Sequence, residues 1–228
     1  MAISAAPHQQ RTFTTMTKPR IGIIIGTTRQ GRFADTPANW LLELANKRGD
    51  ADFELVDLRD YPLPFFEEQY SPAFVPPANP VAQAWAAKMA ELDGYVFITA
   101  EYNHSVSGVL KNALDYAYNE YRRKPASFVG YGGVGAARAV EQLRLILAEL
   151  QIASLKHTVH INANEFMGVL MHGKSLADYD YLGASATMML DNLVWWADAL
   201  RQGRDASPAV IPDFATMART LGPSSEAA

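Results

Sequence analysis

Arg20-Ile21-Gly22-Ile23-Ile24-Ile25-Gly26-Thr27-Thr28-Arg29-Gln30-Gly31-Arg32 is the stretch from which the fold is read. Its first half is a short run rich in β-branched residues, the pattern of a strand buried on both faces. Its second half is a polar turn with hydroxyls, glycines and guanidinium groups. Trp40, Leu41, Leu44 and Ala45 then recur at helical spacing until Gly49, and Asp52–Leu58 reads as a second strand. The opening is β-loop-α-β.

The same alternation continues outward. Arg59–Pro80 is dense in proline and aromatics, which excludes a helix or central strand and predicts an ordered surface loop. Val81–Glu91 has a helical pattern, and Gly94–Thr99 is a third buried strand ending in Ala100-Glu101-Tyr102-Asn103-His104-Ser105. Val109, Leu110, Ala113, Leu114 and Ala117 mark the next helix. Pro125–Tyr131 is a fourth strand that breaks at Gly132-Gly133-Val134-Gly135, and a helix follows with Leu143, Ile146, Leu147 and Leu150 on one side. Thr158–Ile161 supplies a fifth strand and Tyr181–Leu200 a last helix. Strands and helices alternating in this way predict an α/β domain with a doubly wound parallel sheet. Residues 19–203 form that single domain, with a disordered extension over 1–18 and a weakly ordered tail over 204–228.

Composition narrows the chemistry. The 228 residues are 49% hydrophobic with a net charge of −4, and Lys and Arg are interspersed with Asp and Glu, so no nucleic-acid surface is expected. There is no cysteine, which excludes disulfides, iron–sulfur clusters and thiolate nucleophiles. Redox chemistry would therefore need an organic cofactor. No apolar run approaches the ~20 residues of a membrane span, and a cytoplasmic location is the default expectation. The stretch before Asp35 carries Arg11, Lys18 and Arg20 without an acidic residue, which suits either a transit peptide or an extension preceding a start at Met16.

In an open parallel sheet, ligands bind beyond the carboxyl ends of the strands, near the point where strand order reverses. The turn Gly26–Arg32 offers hydroxyls, amides and two guanidinium groups at a helix N-terminus, which suits a phosphate dianion. It is neither Gly-x-Gly-x-x-Gly nor a Walker loop, and taken alone it equally suits a surface turn with solvated arginines. The turn Ala100–Asn112 presents amides, an aromatic ring and small residues fit for a planar heteroaromatic ring. Glu101 also reads as a solvated carboxylate and His104 as a helix-entry residue. The glycines of Tyr131–Arg138 allow close approach to a ligand, or serve packing alone.

Three stretches resemble the NADPH-dependent FMN reductases: Gly26-Thr27-Thr28-Arg29, Glu101-Tyr102-Asn103-His104-Ser105 with Gly108-Val109-Leu110-Lys111-Asn112-Ala113, and Gly130 to Gly135. The resemblance, covering roughly residues 20 to 200, implies a flavodoxin-like fold with five parallel strands in order 2-1-3-4-5 and helices on both faces. It implies that Thr28, Arg29 and Arg32 bind the FMN phosphate. Glu101, Tyr102, Asn103, His104 and Ser105 would contact the ribityl chain and isoalloxazine, and Gly132, Gly133 and Val134 the pyrimidine side. Where many relatives carry a serine after the loop arginine, this chain has Arg32-Phe33.

The family's chemistry rests on the flavin, so no catalytic side chain and no metal are expected. NADPH or NADH would deliver hydride and a small acceptor (free flavin, quinone, azo compound or metal oxyanion) would then take the electrons in a ping-pong cycle. A homodimer or homotetramer is implied, with Tyr116, Tyr118 and Tyr121 on a helix from Val106 to Tyr121 suited either to that interface or to ordinary core. The rival readings are a flavodoxin-like electron carrier and a hydrolase or transferase on the same fold. The latter lacks a Gly-x-Ser-x-Gly elbow.

Overall fold

The structure is a computed structural model that describes residues 17–208. Its elements run β1 (Arg20–Ile25), α1 (Asp35–Asn46), β2 (Asp52–Asp57), α2 (Pro80–Glu91), β3 (Gly94–Ala100), α3 (Gly108–Asp115), β4 (Pro125–Tyr131), α4 (Ala137–Glu149), β5 (Ala153–Ile161), α5 (Ala163–Met171) and α6 (Asp180–Ala206). Among the described residues the strands form one five-stranded parallel sheet in the order β2-β1-β3-β4-β5. This is the expected flavodoxin-like order.

Strand periodicity divides the core. Tyr95 and Phe97 of β3 pack with Trp85, Met89, Leu110, Leu114 and Leu143 on one face. Val96 and Ile98, one residue out of step, pack with Leu41, Met189, Leu190 and Leu193 on the other. Both faces are buried, which is why β1, β3 and β4 read as nearly continuous apolar runs.

Three expectations need correction. Helix α3 spans only Gly108–Asp115 and not Val106 to Tyr121, and beyond it Tyr116 and Tyr121 are fully buried and Tyr118 partly so, which favours the core alternative for these rings. The Tyr121 hydroxyl accepts from Trp85 Nε1 at 3.1 Å. Strand β5 begins at Ala153, five residues before the expected Thr158. Its first half lies on the sheet edge with polar residues and a register irregularity between Ala126 and Phe128, so it carries no apolar run to betray it. Helix α6 spans Asp180–Ala206, six residues past the expected end at Leu200. The expectations for residues 1–16 and 209–228 lie outside the described residues; Thr17 accepts a hydrogen bond from Arg201 Nη1 at 2.7 Å.

Candidate active site

Parallel pairing brings the ends of the informative strands together. Ile25 is level with Asp57 on β2 and Ile98 on β3, and Ala100 is level with Tyr131 on β4. The chain crosses from one side of β1 to the other at this point, so the turns after β1, β3 and β4 surround one crevice.

The turn after β1 starts under tight constraint. Gly26 N donates to Ile98 O at 2.9 Å, and a Cβ on Gly26 would lie 2.7 Å from that same oxygen. Only glycine lets β1 end this close to β3. Thr27 is buried with its hydroxyl 3.5 Å from the Tyr131 hydroxyl, whereas Thr28 is half-buried and Arg29 exposed. The Arg29 guanidinium makes no hydrogen bond or ion pair among the described residues.

Arg32 behaves otherwise than expected. Its side chain is 2% exposed and its guanidinium is taken up by protein: Nε donates to Asp35 Oδ1 at 2.9 Å, Nη1 to Asp57 Oδ1 at 2.7 Å and to Thr27 O at 2.5 Å, and Nη2 to both carboxylates. Burial by itself would raise the Asp57 pKa, but the hydrogen bonds from Arg32 and the Arg59 amide outweigh it and hold the group below its usual range. With its donors so committed, Arg32 braces the turn from behind. An isolated glance at Gly31-Arg32 cannot separate a phosphate ligand from a brace, because the deciding carboxylate, Asp57, comes from another strand.

The turn after β3 is a two-residue hairpin. Tyr102 N donates to Ser105 O at 2.9 Å and Ser105 N to Tyr102 O at 3.1 Å, with Asn103 at φ 49° and His104 at φ 75°. Both are left-handed, the conformation such turns require. Gln142 of α4 clamps the turn: its Nε2 donates to His104 O at 3.0 Å and its Oε1 accepts from Ser105 Oγ at 2.5 Å. Asn103 and His104 therefore project outward from a held backbone. Glu101 accepts from Arg138 N at 3.2 Å and Arg138 Nε at 2.6 Å. Its carboxylate is shielded, which would raise its pKa, yet the Arg138 hydrogen bonds and charge hold it lower than usual. Glu101 is thus an ionised tether between two turns.

The turn after β4 is positioned by close packing. Gly132 stands at φ 134° with open space where a Cβ would be, and Gly135, at φ 58°, has His160 Cβ and Asn162 Oδ1 within 2.8 Å of that position. His160 Nδ1 donates to Gly135 O at 2.7 Å. The amides of Gly133 and Val134 donate no hydrogen bond among the described residues, and both residues are exposed.

Arg29, Gly31, Tyr102, Tyr131, Gly132 and Phe166 line a cavity of about 190 Å³ at the meeting of the turns. Phe166 belongs to none of the three sequence motifs. It lies on α5, stacks on Tyr131 at 6.2 Å and 17°, and meets Phe33 edge-on at 4.7 Å. Ala163–Met171 is short and mostly apolar with Met167, Leu170 and Met171 exposed, so its sequence shows no clear polar outer face to mark a helix. A second cavity, of about 340 Å³, lies on the far side of Thr28, between Arg59, Tyr61, Leu63 and Val109. The Pro-rich segment beside it is ordered by α3 and its end: Asn112 donates to Pro64 O at 2.7 Å and accepts from Phe66 N at 2.9 Å, and the Tyr116 hydroxyl donates to Phe65 O at 3.1 Å. Phe65 is 88% exposed.

A profile of the family described as NADPH-dependent FMN reductase matches residues 19–165, the span that contributes all of these turns. The chain belongs to this family. It is 36% identical over 144 residues to an NAD(P)H-dependent FMN reductase of Schizosaccharomyces pombe, covering 59% of this chain and 68% of that protein. It is 31% identical over 163 residues to a quinone reductase of Escherichia coli K12, covering 69% and 81%. The solved structure of a flavoenzyme NAD(P)H:acceptor oxidoreductase from Paracoccus denitrificans superposes with a TM-score of 0.61 over 79% of this chain and 98% of that one. At 21% identity that likeness speaks for the fold.

The enzyme is thus an oxidoreductase of an FMN-dependent family that draws on NAD(P)H. Its residues fit such a cofactor. Free amides and an unpaired arginine suit the phosphate, and the open face at Gly132 together with the unpaired amides of Gly133 and Val134 suits the edge of a planar ring. Among the described residues no helix is long and apolar enough to cross a membrane.

Proposed function

We propose that the chain binds FMN in the crevice between these turns and acts as an NAD(P)H-dependent reductase of a small acceptor, with a quinone or free flavin as the leading class. The observation that carries this reading is that the turns after β1 and β4, which flank the Tyr102–Ser105 hairpin at one end of the sheet, both carry amides without a protein acceptor among the described residues. When bound, FMN supplies the redox chemistry, taking hydride from the nicotinamide and giving electrons to an acceptor that follows it into the same space, in a ping-pong cycle.

The chain's own residues position and stabilise. Thr28, Arg29 and the amides of their turn hold the phosphate. Tyr102, Asn103, His104 and Ser105 form the wall along the ribityl chain and ring, on a backbone that Gln142 keeps rigid. Gly133 and Val134 direct their amides at the pyrimidine edge, where negative charge is favoured, beside the open face at Gly132, whose own amide is held by Ile161 O. Glu101 keeps the two turns in register through Arg138. No side chain is required to carry a proton, so Glu101→Gln and His104→Ala lower the rate only modestly while flavin stays bound. The assembly is a homodimer or homotetramer, as the family reading implies.

The test is the absorbance spectrum of the purified protein before and after anaerobic NADPH, followed by initial rates at varied NADPH and quinone. Bound FMN that bleaches with NADPH and gives parallel reciprocal plots is expected. A flavin that stays oxidised under NADPH but accepts single electrons from a one-electron donor would overturn the reading in favour of a carrier.

A further inference from the structure

The turn after β1 is anchored through its carbonyls. Arg32 Nη1 donates to Thr27 O at 2.5 Å, Arg59 Nε to Thr28 O at 3.3 Å, and Arg59 Nη2 to Arg29 O at 2.7 Å. Successive carbonyls are therefore drawn toward two guanidinium groups. A trans peptide is planar, and its C=O and the following N–H point in opposite directions. The amides of Thr28, Arg29 and Gln30 are accordingly turned away from the two arginines, and none of them donates a hydrogen bond among the described residues. Consecutive amides aimed to one side make an anion-binding concavity.

The two arginines share their braces. Asp57 takes the Arg32 fork and also accepts from Arg59 N at 2.9 Å, while Asp35, bonded to Arg32, lies 4.0 Å from Arg59 Nη1. Arg59 stands just beyond β2, at the entrance to the Pro-rich segment, and its side chain is 40% exposed. Nothing in the turn Gly26–Arg32 announces it, because it reaches that turn from thirty residues away.

We infer that Arg59 is a positioning residue for the FMN phosphate: without touching the phosphate, it holds the Thr28 and Arg29 carbonyls so that the amides of Thr28, Arg29 and Gln30 converge on it. The inference rests on the FMN reading of the crevice. It differs from a simple contribution of positive charge, and lysine separates the two. Lysine keeps the charge, but a single ammonium does not reproduce a planar fork reaching two carbonyls.

The experiment titrates flavin-free protein with FMN and with riboflavin, which lacks the phosphate, following quenching of flavin fluorescence in the wild type, R59K and R59Q. Both variants are expected to weaken FMN on the order of tenfold, leaving riboflavin affinity and the urea midpoint of the flavin-free protein unchanged. In ¹⁵N spectra, the shifts of the Thr28, Arg29 and Gln30 amides on adding FMN should shrink in R59K. Wild-type FMN affinity in R59K would overturn the inference in favour of charge alone. Proportional weakening of FMN and riboflavin would overturn it in favour of a general structural role, and if R59Q fails to fold, R59K decides between these. A wild type that binds no FMN would sink the underlying FMN reading before any variant is compared.

Discussion

Replacing Arg32 by methionine tests whether this arginine braces the fold or binds ligand. The side chain is 2% exposed, its partner Asp57 is 23% exposed and Asp35 is 46% exposed. Breaking a fully buried pair costs ~3–5 kcal/mol because the surviving charge is stranded, whereas an exposed pair is worth ~0–1 kcal/mol. Asp35 regains water readily, Asp57 partly, and Thr27 O loses its donor, so we expect a loss of about 2–3 kcal/mol between these limits. For a domain of this size that lowers Tm by roughly 5–10 °C. Calorimetry and urea unfolding should use flavin-free protein, since a ligand that binds only the folded state masks the loss. R32M/D57L should recover much of the deficit, because the stranded carboxylate goes with its partner. Acid sensitivity should change in step. Asp57 has a folded pKa below its ordinary 3.8, so between the two values the unfolded chain binds the extra proton and stability rises with pH. That contribution is complete above the ordinary value and is lost as pH falls through the folded one; R32M should lack this acid-labile part. An R32M protein as stable as the wild type but severely impaired in FMN binding would refute the brace and return Arg32 to the phosphate.

Arg29→Ala should weaken FMN by about 1–2 kcal/mol, below the range of a buried charged hydrogen bond because Arg29 is exposed; an unchanged dissociation constant by fluorescence titration would remove Arg29 from the site. Asn112→Ala removes the bonds to Pro64 O and Phe66 N, so the Pro-rich segment should loosen and the KM for a quinone acceptor rise several-fold with FMN affinity preserved. Steady-state kinetics would show it, and a change in FMN affinity with KM constant would count against it. Lys124 is buried beneath α2, where it donates to Met89 O at 2.8 Å and Ala90 O at 3.0 Å. Burial, then the nearby Arg204, lower its pKa to about 7 against the pull of Asp93 and Glu120. The unfolded chain then holds the extra proton from about pH 7 up to the ordinary value of 10.5, so this group makes stability rise with pH across that window. Lys124→Met should remove that rise in urea unfolding at pH 6 to 9; an identical slope in the variant would show that Lys124 is charged throughout.

Much of the architecture lies open in the chain itself. β1, β3 and β4 are buried on both faces, so water exclusion leaves them almost no polar position, and the glycines and polar residues that end them mark the turns around the crevice. Alternation and those endings suffice for a doubly wound parallel sheet, and the Glu101–Ser105 and Gly108–Ala113 motif suffices for the family and, through that resemblance, for the strand order. What local pattern could not convey is where side chains find distant partners. Arg32 turns inward because β2 sets Asp57 level with the end of β1, Glu101 is consumed by Arg138 at the start of α4, and Tyr116 and Tyr121 sink into the core because α3 stops at Asp115. Phe166, Gln142 and Arg59 enter the site from elements whose local sequence bears no mark of it. Strand and turn formation depend on burial pattern and backbone conformation within a few residues, which sequence records directly. The direction of a guanidinium depends on a carboxylate delivered by another strand, and only the packed tertiary structure supplies that.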